Sequence, residues 1–538
     1  MSRNLKDGVF YYGDNLPVLR DLPDESVDLI YLDPPFNSNV NYNAVFKDES
    51  GKRTDAQVKA FDDTWRWGAT AEDHYSYLTN TSAHNGRVGE QVTGMIAALV
   101  GALGKGPTAA YLVEMTVRLV ELRRVLKETG SLYLHCDTSA GSYLKVILDM
   151  IFGPENARNE IIWHYGGRGG KAISGQFPRN HDIILAYSKV EGKQLFNRQY
   201  QVRKFTPVEA AEKGFRQDED GRWFKTSPRG NYTDESVAKL EAEGRVHRTK
   251  TGSVRIKYFL RQVEGLIEED AVVGDVWNDI PDAMHIGKEF LGYPTQKPLA
   301  LLERIINASS NPGDIVLDPF CGCGTAVAAA QKLGRRWIGI DLTYLSIAVM
   351  KRRMLDHFPE LERIEVIGAP TELEGARRLA ADEENGRYQF QWWALDQIGA
   401  TPRGGDKKKG ADGGIDGLIT FSDVGGELRS VIVSVKSGGV QAKDVRELAH
   451  VVDRENGCIG VLVTLEEPSR PMREEAAQAG SWHSELYGKD YAKIQIITAK
   501  EIIEQNRRPD LPPLLAQQYR QAGRVHKSGG EQGSLFES

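Results

Sequence analysis

Short apolar runs that stop at an aspartate or a turn recur along the first 342 residues: VFYYGD (9–14), VDLIYLDPP (27–35), SLYLHCD (131–137), HDIILAYSK (181–189), DIVLDPFCGCG (314–324) and RWIGIDL (336–342). Runs of this length, bounded by turn residues, predict buried strands. Between them, AAYLVEMTVRLVELRRVLKETG (109–130) carries apolar residues at helical spacing and predicts a helix stopped by Gly130. Strands alternating with helices predict an open, mostly parallel α/β sheet. Ligands of such sheets bind beyond the carboxyl ends of the strands, where these aspartates fall.

The pattern changes after about residue 375. ELEGARRLAADEENGRYQF reads as a connecting helix, and ATPRGGDKKKGADGG (400–414) as a Gly- and Lys-rich loop. A strand pattern GIDGLITF, the β-rich RSVIVSVKSG (429–438), a helix and the strand IGVLVTL follow, predicting a second, smaller α/β domain. The tail from about residue 516, ending HKSGGEQGSLFES, has the composition of a disordered segment.

Composition narrows the class. With 538 residues, 40% hydrophobic and 27% charged, the chain reads as globular and exceeds a single core. It has no apolar run of the roughly 18 residues a membrane span needs, and MSRNLKDGVF lacks the apolar core of a signal peptide, so a cytoplasmic protein without membrane partners is expected. The four cysteines, Cys136, Cys321, Cys323 and Cys458, are too scattered for a disulfide framework, and no second Cys or His pair stands at zinc spacing from Cys321 and Cys323. A net charge of −7 does not mark a nucleic-acid binder. Residues 193–261, however, hold 16 Lys and Arg against 9 Asp and Glu, interleaved with Tyr200, Phe205, Phe215, Trp223, Phe224 and Tyr232. That segment is the candidate for touching phosphates; the alternative is a solvated insertion.

Two loops carry candidate chemistry. In DIVLDPFCGCGTAVAAAQKLGRRWIGIDL (314–342), Gly322 and Gly324 allow a tight turn and close approach of backbone to a ligand. Asp341, 23 residues after Asp318, stands near the spacing at which an acid grips ribose hydroxyls. The dinucleotide fingerprint is incomplete, because its third glycine falls on Val327, and no Walker lysine is present. A cofactor without phosphate, S-adenosylmethionine, therefore fits better than NAD or FAD, with a purely structural turn as the remaining reading. The second loop is DPPF. Methylating an exocyclic amino group requires accepting its hydrogens, so that the nitrogen lone pair is freed for in-line attack. Asp33 offers one acceptor and the Pro34 carbonyl another. Pro35 lacks an N–H and favours an extended Pro34, and Phe36 can stack on an extruded base. A conventional Pro-rich strand end is the alternative.

GDNLPVLRDLPDESVDLIYLDPPFN, RRVLKETGSLYLHCD, NEIIWHY, YPTQKPLALLERII and VLDPFCGCGTAVAAAQKLGRRWIGIDL together resemble the amino-group DNA methyltransferases with D-P-P-[YF] and F-x-G-x-G motifs, over roughly residues 8–365. The catalytic loop precedes the cofactor loop, which is the circularly permuted order of the β group, home of the type III modification subunits. The resemblance implies a Rossmann-like sheet, S-adenosylmethionine as cofactor and double-stranded DNA as partner. It implies a catalytic role for Asp33, Pro34, Pro35 and Phe36. It implies cofactor contacts for Asp318, Phe320, Gly322, Gly324, Thr325 and Asp341, for Thr295 and Lys297 in the segment 295–298, and for Asp14. An aspartate at position 33 favours adenine N6 over cytosine N4; an inactive DNA-binding module is the other alternative. A restriction (helicase-nuclease) subunit and a second copy of the chain are further partners that the resemblance leaves open.

GADGGIDGLITFSDVGGELRSVIVSVKSG resembles the Mrr-like branch of the PD-(D/E)xK nucleases. The resemblance implies a restriction-endonuclease-like fold with Asp416 as metal ligand for Mg2+ and Lys436 beside it. Ser434 stands where that family carries Glu or Gln, and a hydroxyl is a poorer ligand, so cleavage is in question while the fold stays plausible; a degenerate DNA-binding module and an unrelated α/β domain are the alternatives. The expected organisation is a catalytic half (1–190), a target-recognition insertion (191–275), a cofactor half (276–370), the nuclease-like domain (371–515) and a tail (516–538).

Overall fold

The computed structural model describes residues 5–35, 41–47, 53–62, 65–166, 177, 179–286, 289, 293, 295–382, 386–403, 414–423 and 428–512. Phe36 and the predicted tail lie outside the described residues. The chain divides into two compact units, one of residues 1–195 with 278–538 and the other Phe196–Trp277.

In the larger unit the strands are β1 (Val9–Tyr12), β2 (Val27–Leu32), β3 (Leu126–Cys136), β4 (Ala157–His164), β5 (His181–Ser188), β6 (Ile315–Asp318), β7 (Arg336–Asp341) and β8 (Glu365–Ile367). They lie side by side in the order β4-β5-β3-β2-β6-β7-β1-β8. The pairs β3/β2, β2/β6, β6/β7, β7/β1 and β1/β8 are parallel, and β5 runs antiparallel to β3 and β4. The mostly parallel sheet expected from the run pattern is therefore what forms. Its helices include α1 (Asn15–Asp21), α2 (Ala69–Thr79), α3 (Pro107–Val125), α4 (Gly141–Phe152), α5 (Leu299–Ser309), α6 (Thr325–Lys332) and α7 (Tyr344–His357). β2 and β6, far apart in sequence, are hydrogen-bonded neighbours, so the permuted motif order closes into one continuous sheet.

The expected helix 109–130 ends five residues early. α3 stops at Val125, and β3 starts at Leu126. Gly130 does not cap the helix; it lies inside β3, where an added Cβ would come within 2.8 Å of the Asp28 carbonyl oxygen. The register between β2 and β3 shifts there, and Lys127 is drawn to Asp28 at 2.7 Å, which favours an extended backbone over continued helix.

The carboxyl-terminal part of this unit opens with α8 (Leu373–Ala381) and α9 (Gly386–Gln397), in place of one connecting helix. A second sheet follows, with order β9 (Thr401–Pro402), β10 (Gly417–Ser422), β11 (Leu428–Lys436), β12 (Ile459–Thr464) and β13 (Ile494–Thr498). α10 (Ala442–Arg454) contributes Val445, Leu448, Val451 and Val452 to a core shared with this sheet. No helix among the described residues is long and apolar enough to cross a membrane.

The smaller unit, Phe196–Trp277, is built on two antiparallel sheets, one centred on Trp223–Pro228 and Val254–Phe259 and the other on Tyr200–Phe205 and Leu266–Val272. A small core of Phe205, Ala210, Trp223 and Ile267 holds it. Phe205 and Trp223 thus serve packing, whereas Tyr200 and Tyr232 are exposed. Several of its cations pair within the unit: Lys204 with Glu268, Lys225 with Glu269, Arg248 with Glu241 and Arg261 with Asp270.

Candidate active site

The sheet order places four neighbouring strand ends together. β2, β6, β7 and β1 are parallel neighbours, and their carboxyl ends lead into Asp33, Asp318, Asp341 and Asp14. A cavity of about 640 Å³ opens above them, within the range of small-molecule and cofactor sites. Asp14, Asp33, Pro34, Pro35, Thr295, Lys297, Asp318, Phe320, Gly322, Thr325 and Asp341 all line it. Residues from positions 14 to 341 of the chain are thereby gathered into one site. Gly324 stands one step back, as the left-handed N-cap of α6 at φ +75°.

Asp33 is clamped. Lys297 Nζ donates to Asp33 Oδ2 at 2.6 Å, and the two side chains are 10% and 15% exposed. Burial opposes the charge on Lys297, but Asp33 and Asp182 outweigh it, and the ammonium's pKa is raised. Under Asp33, Tyr31 Oη is 3.0 Å from His135 Nδ1, whose other nitrogen is 3.1 Å from Asp182. Burial, with Asp33, Asp318 and Asp182 nearby, holds the Tyr31 phenol well above its ordinary pKa. It stays protonated.

The cofactor loop is shaped by its acids and glycines. Asp341 accepts from the N–H groups of Gly322 (2.8 Å) and Thr343 (2.9 Å), which ties the glycine turn to the end of β7. The Thr343 hydroxyl also donates to Asp341 Oδ1 at 3.1 Å, so of the roughly four acceptor sites of a carboxylate about one is left for a ligand hydroxyl. Gly322 has φ +52°, and a Cβ at Gly324 would come within 2.7 Å of Met350 Cγ. Both positions therefore exclude larger residues. Asp318 is 4% exposed, and burial, with Asp33 and Asp341 close by, pushes its carboxyl up to about 8. At neutral pH the cluster thus carries less negative charge than three carboxylates imply. Thr325 is held by Arg353, whose Nη1 donates to its hydroxyl at 3.1 Å.

The sequence reading missed a network on the far side of the cavity. Arg118 on α3, 8% exposed at its side chain, donates to Asp14 Oδ1 (2.9 Å), Asn15 Oδ1 (2.7 Å) and Glu114 Oε2 (2.7 Å). Glu114 in turn meets His74 at 2.9 Å. Asn15 donates to the Pro319 carbonyl at 2.8 Å and so locks the loop after Asp318. The available signal was an i, i+4 acid–base pair, Glu114 and Arg118, within the mostly apolar stretch 107–120.

With this geometry in place, the comparisons with known proteins are specific. Residues 27–349 match the family model described as DNA methylase, of the N6/N4 type. The chain belongs to that family. Over 277 residues it is 34% identical to Type II methyltransferase M.EcaI of Enterobacter cloacae, covering 47% of this chain and 59% of that relative, so it spans less than two thirds of it. It is 27% identical over 358 residues to DNA adenine methyltransferase YhdJ of Escherichia coli K12, covering 66% of this chain and 86% of the relative. A DNA modification methylase of Thermus thermophilus, solved in complex with S-adenosyl-L-methionine, is 18% identical with a TM-score of 0.33, covering 67% of this chain and 99% of that one. Residues 389–504 match a second model, described as NACHT-associated inactive Restriction Endonuclease 1. The methylase family and the restriction-endonuclease-like carboxyl-terminal fold both agree with the motif reading.

In that carboxyl-terminal domain two of the three expected nuclease residues, Asp416 and Ser434, come together, and Lys436 ends β11. Asp416 precedes β10 and meets Ser434 on β11. Their chemistry does not fit a metal, however. Asp416 Oδ2 accepts from Val435 N at 2.6 Å and from Ser434 Oγ at 3.2 Å, and among the described residues no cluster of three His, Cys, Asp or Glu side chains could hold an ion. The carboxylate closes a strand end. Mg2+ chemistry is not supported by these donors.

Proposed function

We propose that the chain is an S-adenosylmethionine-dependent DNA methyltransferase acting on the N6 amino group of adenine. The observation that carries this reading is the single cavity in which the DPP loop, with Asp33 held by Lys297, faces the Asp318–Asp341 cofactor loop. Bound S-adenosylmethionine supplies an electrophilic methyl on a sulfonium. Asp341 and the Gly322 turn suit ribose and backbone contacts.

Asp33 and the Pro34 carbonyl would each accept one hydrogen of the target amino group, drawing its nitrogen toward tetrahedral geometry. Lys297 holds the Asp33 carboxylate in place, so little reorganisation is needed as charge develops. The smaller unit, rich in cations and with exposed Tyr200 and Tyr232, is proposed to read the target DNA. The carboxyl-terminal domain is read as a module without metal-dependent cleavage, because Asp416 meets Ser434 where a second acid would be needed.

The test is to incubate the chain with S-adenosylmethionine and mixed-sequence duplex DNA, then digest to nucleosides for mass spectrometry. N6-methyladenine is expected. N4-methylcytosine would move the reading to the cytosine alternative, and neither product would contradict it.

A further inference from the structure

The nuclease-like domain touches the methylase half at a place that matters for the cofactor loop. α7 starts three residues after Asp341, and the first N–H groups of a helix have no partner within it. Its N-cap, Thr343, accepts from Ser346 N. The Tyr344 N–H is satisfied from outside the methylase fold: it donates to Gln389 Oε1 at 2.8 Å, and Gln389 lies on α9. The same oxygen is 3.5 Å from the Tyr12 hydroxyl. Tyr12 is the register partner of Asp341 across β1 and β7, and its ring meets that of Tyr344 at 5.2 Å. Gln389 is 9% exposed. One buried oxygen therefore bridges the end of β1 and the start of α7 on either side of the ribose acid.

Apolar packing continues the link. Phe390 and Trp393 of α9 share a core with Tyr344 and Leu345, and also with Tyr293 and Cys323, which line the cavity. Lys351 of α7 is 3.0 Å from Asp396 at the end of α9. The Asp416 carboxylate of the same domain is meanwhile committed to its own strand end.

We propose that the restriction-endonuclease-like domain is the rear support of the cofactor cavity, with Gln389 as a positioning residue for Asp341 acting through Tyr344 and Tyr12. This rests on the reading of the cavity as the S-adenosylmethionine site. A domain with a nuclease fold thus contributes to methyl transfer by holding the ribose acid in place. Removing the acceptor leaves a buried N–H unpaired, and the end of β7 relaxes to satisfy it.

The experiment uses the full chain. Calorimetry measures the affinity of S-adenosylhomocysteine and of its 2′-deoxy analogue for wild type and for Gln389→Met, which keeps side-chain length and removes the acceptor. The expected result is about tenfold weaker S-adenosylhomocysteine binding in the variant. The gap between the two ligands should also shrink, because the lost contact is the ribose one. In initial-rate assays KM for S-adenosylmethionine rises while kcat stays within about twofold. Gln389→Asn, which withdraws the oxygen but keeps a polar side chain, gives the same shifts and serves if the Met variant does not fold. An unchanged gap between the ligands, or affinity within twofold of wild type, overturns the proposal. A wild-type chain that binds neither ligand overturns the reading of the cavity, and the proposal with it.

Discussion

Replacing Lys297 by Met removes the cation that clamps Asp33 while keeping an unbranched side chain of similar length. At 2.6 Å, an effective dielectric of about 20 gives a gross attraction of about 6 kcal/mol. Desolvation of both groups offsets much of that. Removing one partner of a buried pair typically costs about 3–5 kcal/mol, because the other charge is left uncompensated. For the rate, the relevant loss is that of a preorganised contact to the reacting amino group, for which about 2–3 kcal/mol of barrier, or a roughly 30- to 160-fold loss of rate, is the expected order. Asp33 would then face Asp318, Asp341 and Asp182 with no ammonium between them. The assay is initial-rate transfer of labelled methyl groups to duplex DNA at saturating cofactor, with cofactor affinity measured separately by calorimetry so that a binding loss is not mistaken for a rate loss. A Lys297→Met enzyme that transfers methyl groups within threefold of wild type would refute the reasoning.

Asp318→Asn tests the buried acid through stability. An ordinary carboxyl ionises near pH 3.9, whereas Asp318 in the folded chain does so at about 8. Between those values the unfolded chain loses this proton and the folded one keeps it, so wild-type stability falls as pH rises from about 4 to about 8. The Tm of Asp318→Asn minus that of wild type should therefore grow from pH 5 to pH 8, as followed by calorimetry. Gly324→Ala forces a Cβ against Met350 at a left-handed backbone position. Strain of about 1–2 kcal/mol adds to the clash, which should lower Tm by several degrees and abolish cofactor uptake in a binding assay.

The sheet was readable because six of the eight strands lie in short apolar runs, most of which end at an aspartate that serves as punctuation and chemistry together; β4, whose first half carries Arg158, Asn159 and Glu160, and the three-residue β8 did not stand out as such runs. The acids of the site were readable for the same reason. What escaped the sequence were contacts made by side chains across long separations. The end of α3 was obscured because the apolar helical period runs on through Leu126, and only the pairing of β3 with β2 shows where the strand takes over. Arg118 carries a charge on a helix, where exposure is the default, yet it is buried and orders Asp14, Asn15 and Glu114. Lys297 was legible as a member of the TQKP segment, but its partner, Asp33, was not. Gln389 sits in a different domain from the helix it completes, so no local pattern marks it.

Modified-base sequencing of DNA from a methylation-free host expressing the chain, beside an Asp33→Ala control, tests the central claim most directly. The account predicts N6-methyladenine in a short motif that is absent from the control. The same modification in both samples, or none in either while the wild-type protein binds S-adenosylmethionine, would contradict it.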